Sequence, residues 1–488
     1  MPFSTGMDST ELQNMNSPED DDDESNDFVE DEVSNGQISG QYMERESRRS
    51  LTTNHLDKQK CDEYDAGTTS FKMSVFNLSN AIMGSGILGL AYAVANTGII
   101  LFVFLLASVT ILSVYSIHLL LKCSKETGSM VYEKLGELAF GTPGKLAVFG
   151  STFLQNFGAI LSYLFIVKME LPLIIKYLIG QPETYTAWYV DGRLFVVTIT
   201  VVIILPLCLL RTLGYLGYTS GFSLACMTFF LIAVVYKKFT THCPTLAMNT
   251  TSHNEEFNDS SNYTCEPQYF IINSKTAYAL PTIAFAFVCH PSVLPIYSEL
   301  KERSQQKMQK VSNVSFLAMF TMYLLTALFG YLTFYDGVHS ELLYTYHDRN
   351  DTLMLIVRLA VVTAVVLTVP VLFFTIRSSL FELTKYRKFN WLSYIIVTIL
   401  LLILLDLLVV FIPSIKDIFG IIGATSSNML IFILPSSLFL KLVTRETRKI
   451  KQKIAVSAFL GLGILFSLIC IPLVIYDWIY GKDAGRAD

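Results

Sequence analysis

Eleven long apolar runs, separated by polar segments, constrain what this chain can fold into. A hydrocarbon core about 30 Å thick calls for about 20 consecutive apolar residues in a helix. Runs of that length fall near residues 73–96, 99–123, 146–175, 193–210, 216–237, 276–298, 314–336, 352–376, 391–412, 417–441 and 454–477. No water inside a bilayer satisfies the backbone, so helices and closed barrels are the only structures that cross it. Runs of this length are helical. The expected fold class is an all-α polytopic membrane protein with eleven transmembrane helices. Low charge agrees: 16% of residues are charged and 52% are hydrophobic, against roughly 25% charged in a soluble domain.

The charge is unevenly placed. Residues 1–70 hold 18 acidic and 5 basic side chains, and the rest of the chain holds 23 acidic and 31 basic. The first segment, with its run Glu19-Asp20-Asp21-Asp22-Asp23-Glu24, has too little apolar surface to offset its ordering entropy. A disordered acidic tail over 1–70 is therefore expected ahead of a transmembrane domain over 71–488. In the tail Ser47 and Ser50 flank Arg48 and Arg49, an arrangement open to phosphorylation and to cytoplasmic regulatory partners.

Orientation follows from lysine and arginine. The segments 301–310, 377–387 and 441–453 are basic and fall on one side of the eleven spans, which should be cytoplasmic. The amino terminus then lies inside and the carboxyl terminus outside. On the outer side the longest loop, 238–275, carries the sequons of Asn249, Asn258 and Asn262 together with Cys243 and Cys265. Glycans and disulfides both belong outside. The other six cysteines sit in the tail, in spans or at a cytoplasmic span end, which leaves Cys243 with Cys265 as the extracellular pair.

Two spans are unlike ordinary lipid-facing helices. The first reads Ser74-Val75-Phe76-Asn77-Leu78-Ser79-Asn80-Ala81-Ile82-Met83-Gly84-Ser85-Gly86-Ile87-Leu88-Gly89-Leu90. Its Gly84-Ser85-Gly86 lies near the midplane, where the backbone can unwind. The amides of the following half-helix, at the positive end of its dipole, suit a carboxylate. Small residues also let helices pack closely, and taken alone that reading is the stronger. The sixth span restores the balance with Val288-Cys289-His290-Pro291-Ser292-Val293-Leu294-Pro295, because prolines remove ladder hydrogen bonds. Breaks in spans one and six are the matching positions of a five-plus-five inverted repeat followed by one extra helix. Such paired breaks point to a transporter's substrate site. His290 is either a helix-packing residue or a proton relay.

A hard monovalent cation would be held by neutral oxygens. Asn80 precedes the first break, and span eight offers Thr363, Thr368 and Thr375 around Pro370, although a membrane threonine commonly bonds its own preceding turn. Lys168, Glu170, Arg358 and Asp406 are explained as well by snorkelling or local pairing as by substrate contact. No zinc-protease, Walker or nucleophile-elbow signature occurs, so an enzyme has no residues to support it. The basic residues form membrane-flanking loops, not a nucleic-acid face.

The residues themselves resemble a known family. Gly67-Thr68-Thr69-Ser70 with the stretch Ser74–Leu90, then Gly214-Tyr215-Leu216-Gly217-Tyr218-Thr219-Ser220-Gly221, Phe287 through Tyr297 and Phe329-Gly330-Tyr331-Leu332-Thr333-Phe334-Tyr335 closely resemble the sodium-coupled neutral amino acid transporters, system A branch, of the amino acid/auxin permease group. The resemblance runs from about Gly67 to the last span. It implies a plasma-membrane symporter in which sodium influx drives uptake of small neutral amino acids such as glutamine and alanine, with sodium as coupling ion and no organic cofactor. It also implies a sodium site at Asn80 and Thr368. The substrate is then expected between Met83, Gly84, Ser85 and Gly86 of span one and Val288, Cys289 and His290 of span six. Two other readings are a proton-coupled carrier on the same scaffold and an amino-acid sensor signalling through its tail.

Overall fold

The computed structural model describes residues 67–182, 185–209, 216–241, 265–273, 275–346, 351–383, 391–443 and 450–480. Among them, ten helices are long and apolar enough to cross a membrane, and a pair bent by 58° supplies an eleventh. The bent pair is span one, split into Phe71–Ile82 and Gly86–Ala95. Span six is also split, into Thr276–Ala286 and His290–Glu299. The interruptions therefore fall where glycine and proline stand in the two sequences.

Burial sorts the spans into a centre and a rim. Spans six and ten are 78% buried over their most apolar windows and span three 67%, whereas spans four, nine and eleven bury only 22–28%. The rim helices present apolar side chains outward, as lipid contact requires. Close approach at the centre depends on small residues. A Cβ on Gly423 of span ten would lie 2.0 Å from the Pro281 carbonyl oxygen of span six, and one on Gly158 of span three would lie 2.4 Å from Ile422.

Three features go beyond the expected spans. A short helix, Tyr132–Phe140, joins spans two and three. Span ten (Ile415–Leu442) passes through two π-helical stretches, Gly423–Ser427 and Met429–Ile433; π-turns of this kind recur at functional sites. The connection between spans seven and eight folds back over the bundle, with a 3-10 turn at Leu343–Thr345, and the Leu342 amide donates to the Leu88 carbonyl in the second half of span one.

At the other end, the residues just before span one are clasped to the end of span six. The Thr69 amide donates to the Glu299 carbonyl and the Lys301 amide to the Thr69 carbonyl, each at 2.9 Å. Gly67 fits against this clasp only because it lacks a Cβ, which would lie 2.5 Å from the Glu299 carbonyl carbon. Ser70 then caps the helix by accepting from the Met73 amide.

Candidate substrate site

Where a helix is interrupted, its last carbonyls lose their intrahelical donors and the next helix begins with unpaired amides. In span one the Met83 backbone turns extended (φ −72°, ψ 108°), and the second half starts at Gly86 with no side-chain cap from Ser85. In span six the second half starts at His290, again with no side-chain cap from Cys289. The two breaks touch: a Cβ on Gly86 would lie 2.7 Å from the Ala286 Cβ. Close packing therefore explains Gly86. Gly84 has room, since only the Tyr163 hydroxyl, 3.3 Å away, faces its missing Cβ.

Tyr323 of span seven joins the two breaks. Its buried hydroxyl lies 2.9 Å from the Ile82 carbonyl and 3.0 Å from the Ala286 carbonyl, the last helical carbonyls of the two first halves. A phenol has one proton to donate, so the two acceptors share it. Ser85 is fixed independently by a 2.5 Å hydrogen bond to Ser162 of span three.

Beside the breaks lies a cavity of about 510 Å³, within the size range of small-molecule sites. Span one lines it with Asn77, Asn80 and Met83 through Gly86, and span six with Phe285, Ala286, Val288, Cys289, Pro291 and Ser292. Span three adds Gln155, Asn156, Ala159 and Tyr163, and span eight adds Thr368, Leu372 and Thr375. From the breaks the cavity extends toward Glu299, the end of the molecule where span one begins. The opposite end is covered by the connection that bonds Leu342 to Leu88.

Asn80, Met83, Gly84, Ser85, Gly86, Val288, Cys289 and Thr368 thus share one cavity. His290 does not line it. Its ring is fully buried, and Nε2 is hydrogen-bonded to Ser116 Oγ of span two at 2.9 Å. As the first residue of its half-helix, His290 links span six to span two through this bond. The structure thus gives His290 a packing contact with span two and does not bring it into the cavity wall with the other expected residues. Thr368 donates to its own Ala364 carbonyl at 2.7 Å, a bond that uses the hydroxyl proton and leaves oxygen lone pairs for other partners. Thr363 donates to Leu359 and is absent from the cavity wall.

The charged side chains that the sequence analysis singles out inside spans are each partnered. Lys168 donates to the carbonyls of Val409 and Ile412, Asp406 accepts from Thr200, and Glu170 pairs with Arg358. Cys265 is disulfide-bonded. Cys243, Asn249, Asn258, Asn262 and the tail lie outside the described residues. Gln155, Asn156 and Tyr163 also line the cavity and are absent from the sequence reading, although two adjacent carboxamides inside an apolar helix are a legible signal.

Comparison with known proteins places this arrangement. A model of the family described as "Transmembrane amino acid transporter protein" matches residues 67–479. The chain is 52% identical to the sodium-coupled neutral amino acid symporter 2 of Danio rerio, covering 90% of this chain and 88% of that protein. It is 48% identical to the sodium-coupled neutral amino acid transporter 4 of Homo sapiens, covering 98% and 100%. Among solved structures it is similar to Mhp1 in an inward-facing conformation, with a TM-score of 0.55 at 11% identity over 86% of this chain and 92% of that one. Mhp1 in a closed conformation, a nucleobase-cation-symport-1 family transporter, gives a TM-score of 0.51 at 12% identity, covering 85% and 93%. At such identities the likeness bears on the fold alone, and it agrees with an inverted-repeat transporter. From the clasp at Gly67 to the last span, this chain belongs to the transmembrane amino acid transporter family.

Proposed function

We propose that the protein is a secondary active symporter in which sodium influx drives uptake of small neutral amino acids, such as glutamine and alanine, by alternating access. The observation that carries this reading is the shared cavity, which brings both helix breaks together with Asn80 and Thr368. The names of the relatives support sodium as the coupling ion.

Sodium is held by the Asn80 carboxamide oxygen, the Thr368 hydroxyl and carbonyls freed at the end of the first half-helix. The amino acid carboxylate rests on the amides of Gly84, Ser85 and Gly86, where the helix dipole favours negative charge. Val288 and Cys289 form the facing wall. Sodium biases the unwound segment toward the substrate-binding arrangement, and the cavity then opens to one side at a time. The proton-coupled alternative loses its foothold, because His290 faces span two and not the cavity.

The site belongs in the plasma membrane, with the acidic tail of residues 1–70 and its regulatory partners in the cytoplasm and the domain of residues 71–488 in the bilayer. The loop of residues 238–275 is outside, with Cys243 bonded to Cys265 and glycans on Asn249, Asn258 and Asn262. Sodium-dependent uptake by Asn80→Ala and Thr368→Ala tests the assignment. Both are expected to need more sodium for half-maximal uptake. Unchanged sodium affinity in the two variants would sink the site.

A further inference from the structure

Span three presents Gln155, Asn156, Ala159 and Tyr163 to the cavity, opposite the breaks that serve the head group common to all amino acids. Asn156 is only 9% exposed, and its amide nitrogen has no hydrogen-bond partner. A buried donor left unmet is costly, and a ligand acceptor that meets it recovers that cost. Its neighbour Gln155 is anchored: Oε1 accepts from Ser426 Oγ at 2.9 Å and from Ser427 Oγ at 2.8 Å. Both hydroxyls come from the π-helical stretch of span ten. With its oxygen held there, the Gln155 amino group is turned the other way.

Building on the symporter reading above, the geometry points to Asn156, beside the anchored Gln155, as the residue that reads the substrate side chain and favours neutral amino acids whose side chain ends in a carboxamide.

Position supports the assignment. Tyr163 marks the level of the first break through its contact at Gly84. Asn156 lies some two helical turns further along span three, about 10 Å of axis. An amino acid held at the break reaches toward Asn156 only with an extended side chain, and the methyl group of alanine does not. Charge supports the neutral class: the lining contains Glu299 and no lysine or arginine. An acidic side chain would therefore be desolvated with no lysine or arginine to pair with, the sodium being held beside the first break.

The test is sodium-dependent uptake of radiolabelled glutamine and alanine by Asn156→Ala and Asn156→His, normalised to surface protein. Asn156→Ala is expected to raise the glutamine KM about tenfold, the loss of roughly one hydrogen bond, with the alanine KM within about twofold. Asn156→His keeps a side-chain donor and should recover part of the glutamine affinity. An equal loss for both substrates would assign Asn156 to the common head group or to folding, and no change in either would leave it without a reading role; each overturns the proposal. Wild-type protein gives a second measurement that no folding defect can obscure. Glutamine should inhibit alanine uptake more strongly than homoleucine, its apolar isostere, and equal inhibition overturns the proposal. Absence of sodium-dependent alanine uptake by the wild type would instead remove the symporter reading beneath it.

Discussion

Arg358 of span eight donates from Nη1 to Glu170 Oε2 of span three at 2.8 Å, with both side chains almost fully buried. Nη2 donates to the carbonyls of Leu343 and Tyr346 in the connection that covers the bundle. One guanidinium thereby joins two spans to the cover over the closed end of the cavity. Its planar fork suits this triple role, which a lysine ammonium would fill poorly. A buried pair is expensive to break from one side, because the remaining charge stays desolvated. Arg358→Met should therefore cost about 3–5 kcal/mol, while Arg358→Met combined with Glu170→Leu should recover most of that loss. Thermal unfolding of the purified protein in detergent checks this. A double variant no more stable than the single one would refute the paired-charge account.

Glu341, in the same connection, is 3% exposed, and neither carboxyl oxygen has a hydrogen-bond partner. Burial first, then the charge of Glu170, holds its carboxyl well above the usual carboxylate range, against the opposing pull of Arg358. A raised carboxyl favours the protonated form in the folded state. Its stabilising contribution is complete below the unfolded value near pH 4.3 and is lost as pH rises toward the folded value. Glu341→Gln mimics the protonated form. Relative to wild type, its melting temperature should differ little at pH 5 and should be higher at pH 8. A difference independent of pH would contradict this linkage.

Much of this architecture was legible in the sequence because a bilayer admits few solutions. Eleven runs of sufficient length gave the spans, and Gly84–Gly86 with Pro291 marked the breaks, since nothing else tolerates an unwound backbone at membrane depth. Asn80 stands out by its place before the first break, whereas Thr368 is set apart from Thr363 and Thr375 only by resemblance to a family. Tyr323 was hidden because a tyrosine in an apolar run looks like any large core residue. Its role depends on two carbonyls more than thirty residues away in the chain. His290 shows a related limit: sequence puts a residue next to a break without saying that its ring bonds Ser116 of span two.

Tyr323→Phe removes the one hydroxyl that serves the carbonyls of Ile82 and Ala286. The ring keeps its contact with Phe287, so packing survives while two buried carbonyls lose their donor. The expected loss is about 1–3 kcal/mol, together with a marked fall in uptake, since both breaks relax at once. Normal uptake and an unchanged melting temperature would show that water or substrate satisfies the carbonyls instead.

Gly67→Ala tests the clasp between the start of span one and the end of span six. The added methyl would meet the Glu299 backbone at 2.5 Å, and backbone cannot step aside as a flexible side chain does. The bonds between Thr69 and residues 299 and 301 should break, freeing the segment around Lys72 and Lys301. Faster tryptic cleavage at those two lysines, with reduced uptake, is the expected result. Cleavage at the wild-type rate would mean that the segment before span one shifts without releasing.

Gly84 and Gly86 look alike in the sequence and play different parts in the fold, which makes their alanine variants a direct comparison. At Gly86 the new Cβ would sit 2.7 Å from the Ala286 Cβ and 2.8 Å from its Cα, so the two breaks must separate. At Gly84 the single neighbour is the Tyr163 hydroxyl at 3.3 Å, the end of a side chain that can yield a few tenths of an ångström. Gly86→Ala is expected to abolish uptake and to lower stability by about 1–3 kcal/mol, the usual cost of overpacking. Gly84→Ala should fold normally and act on substrate alone, raising the KM for every amino acid by narrowing the space beside the carboxylate. Surface expression and uptake measured on both variants separate the two roles. Equal behaviour would mean that the stretch serves helix packing throughout and that the cavity wall at Gly84 does not touch substrate.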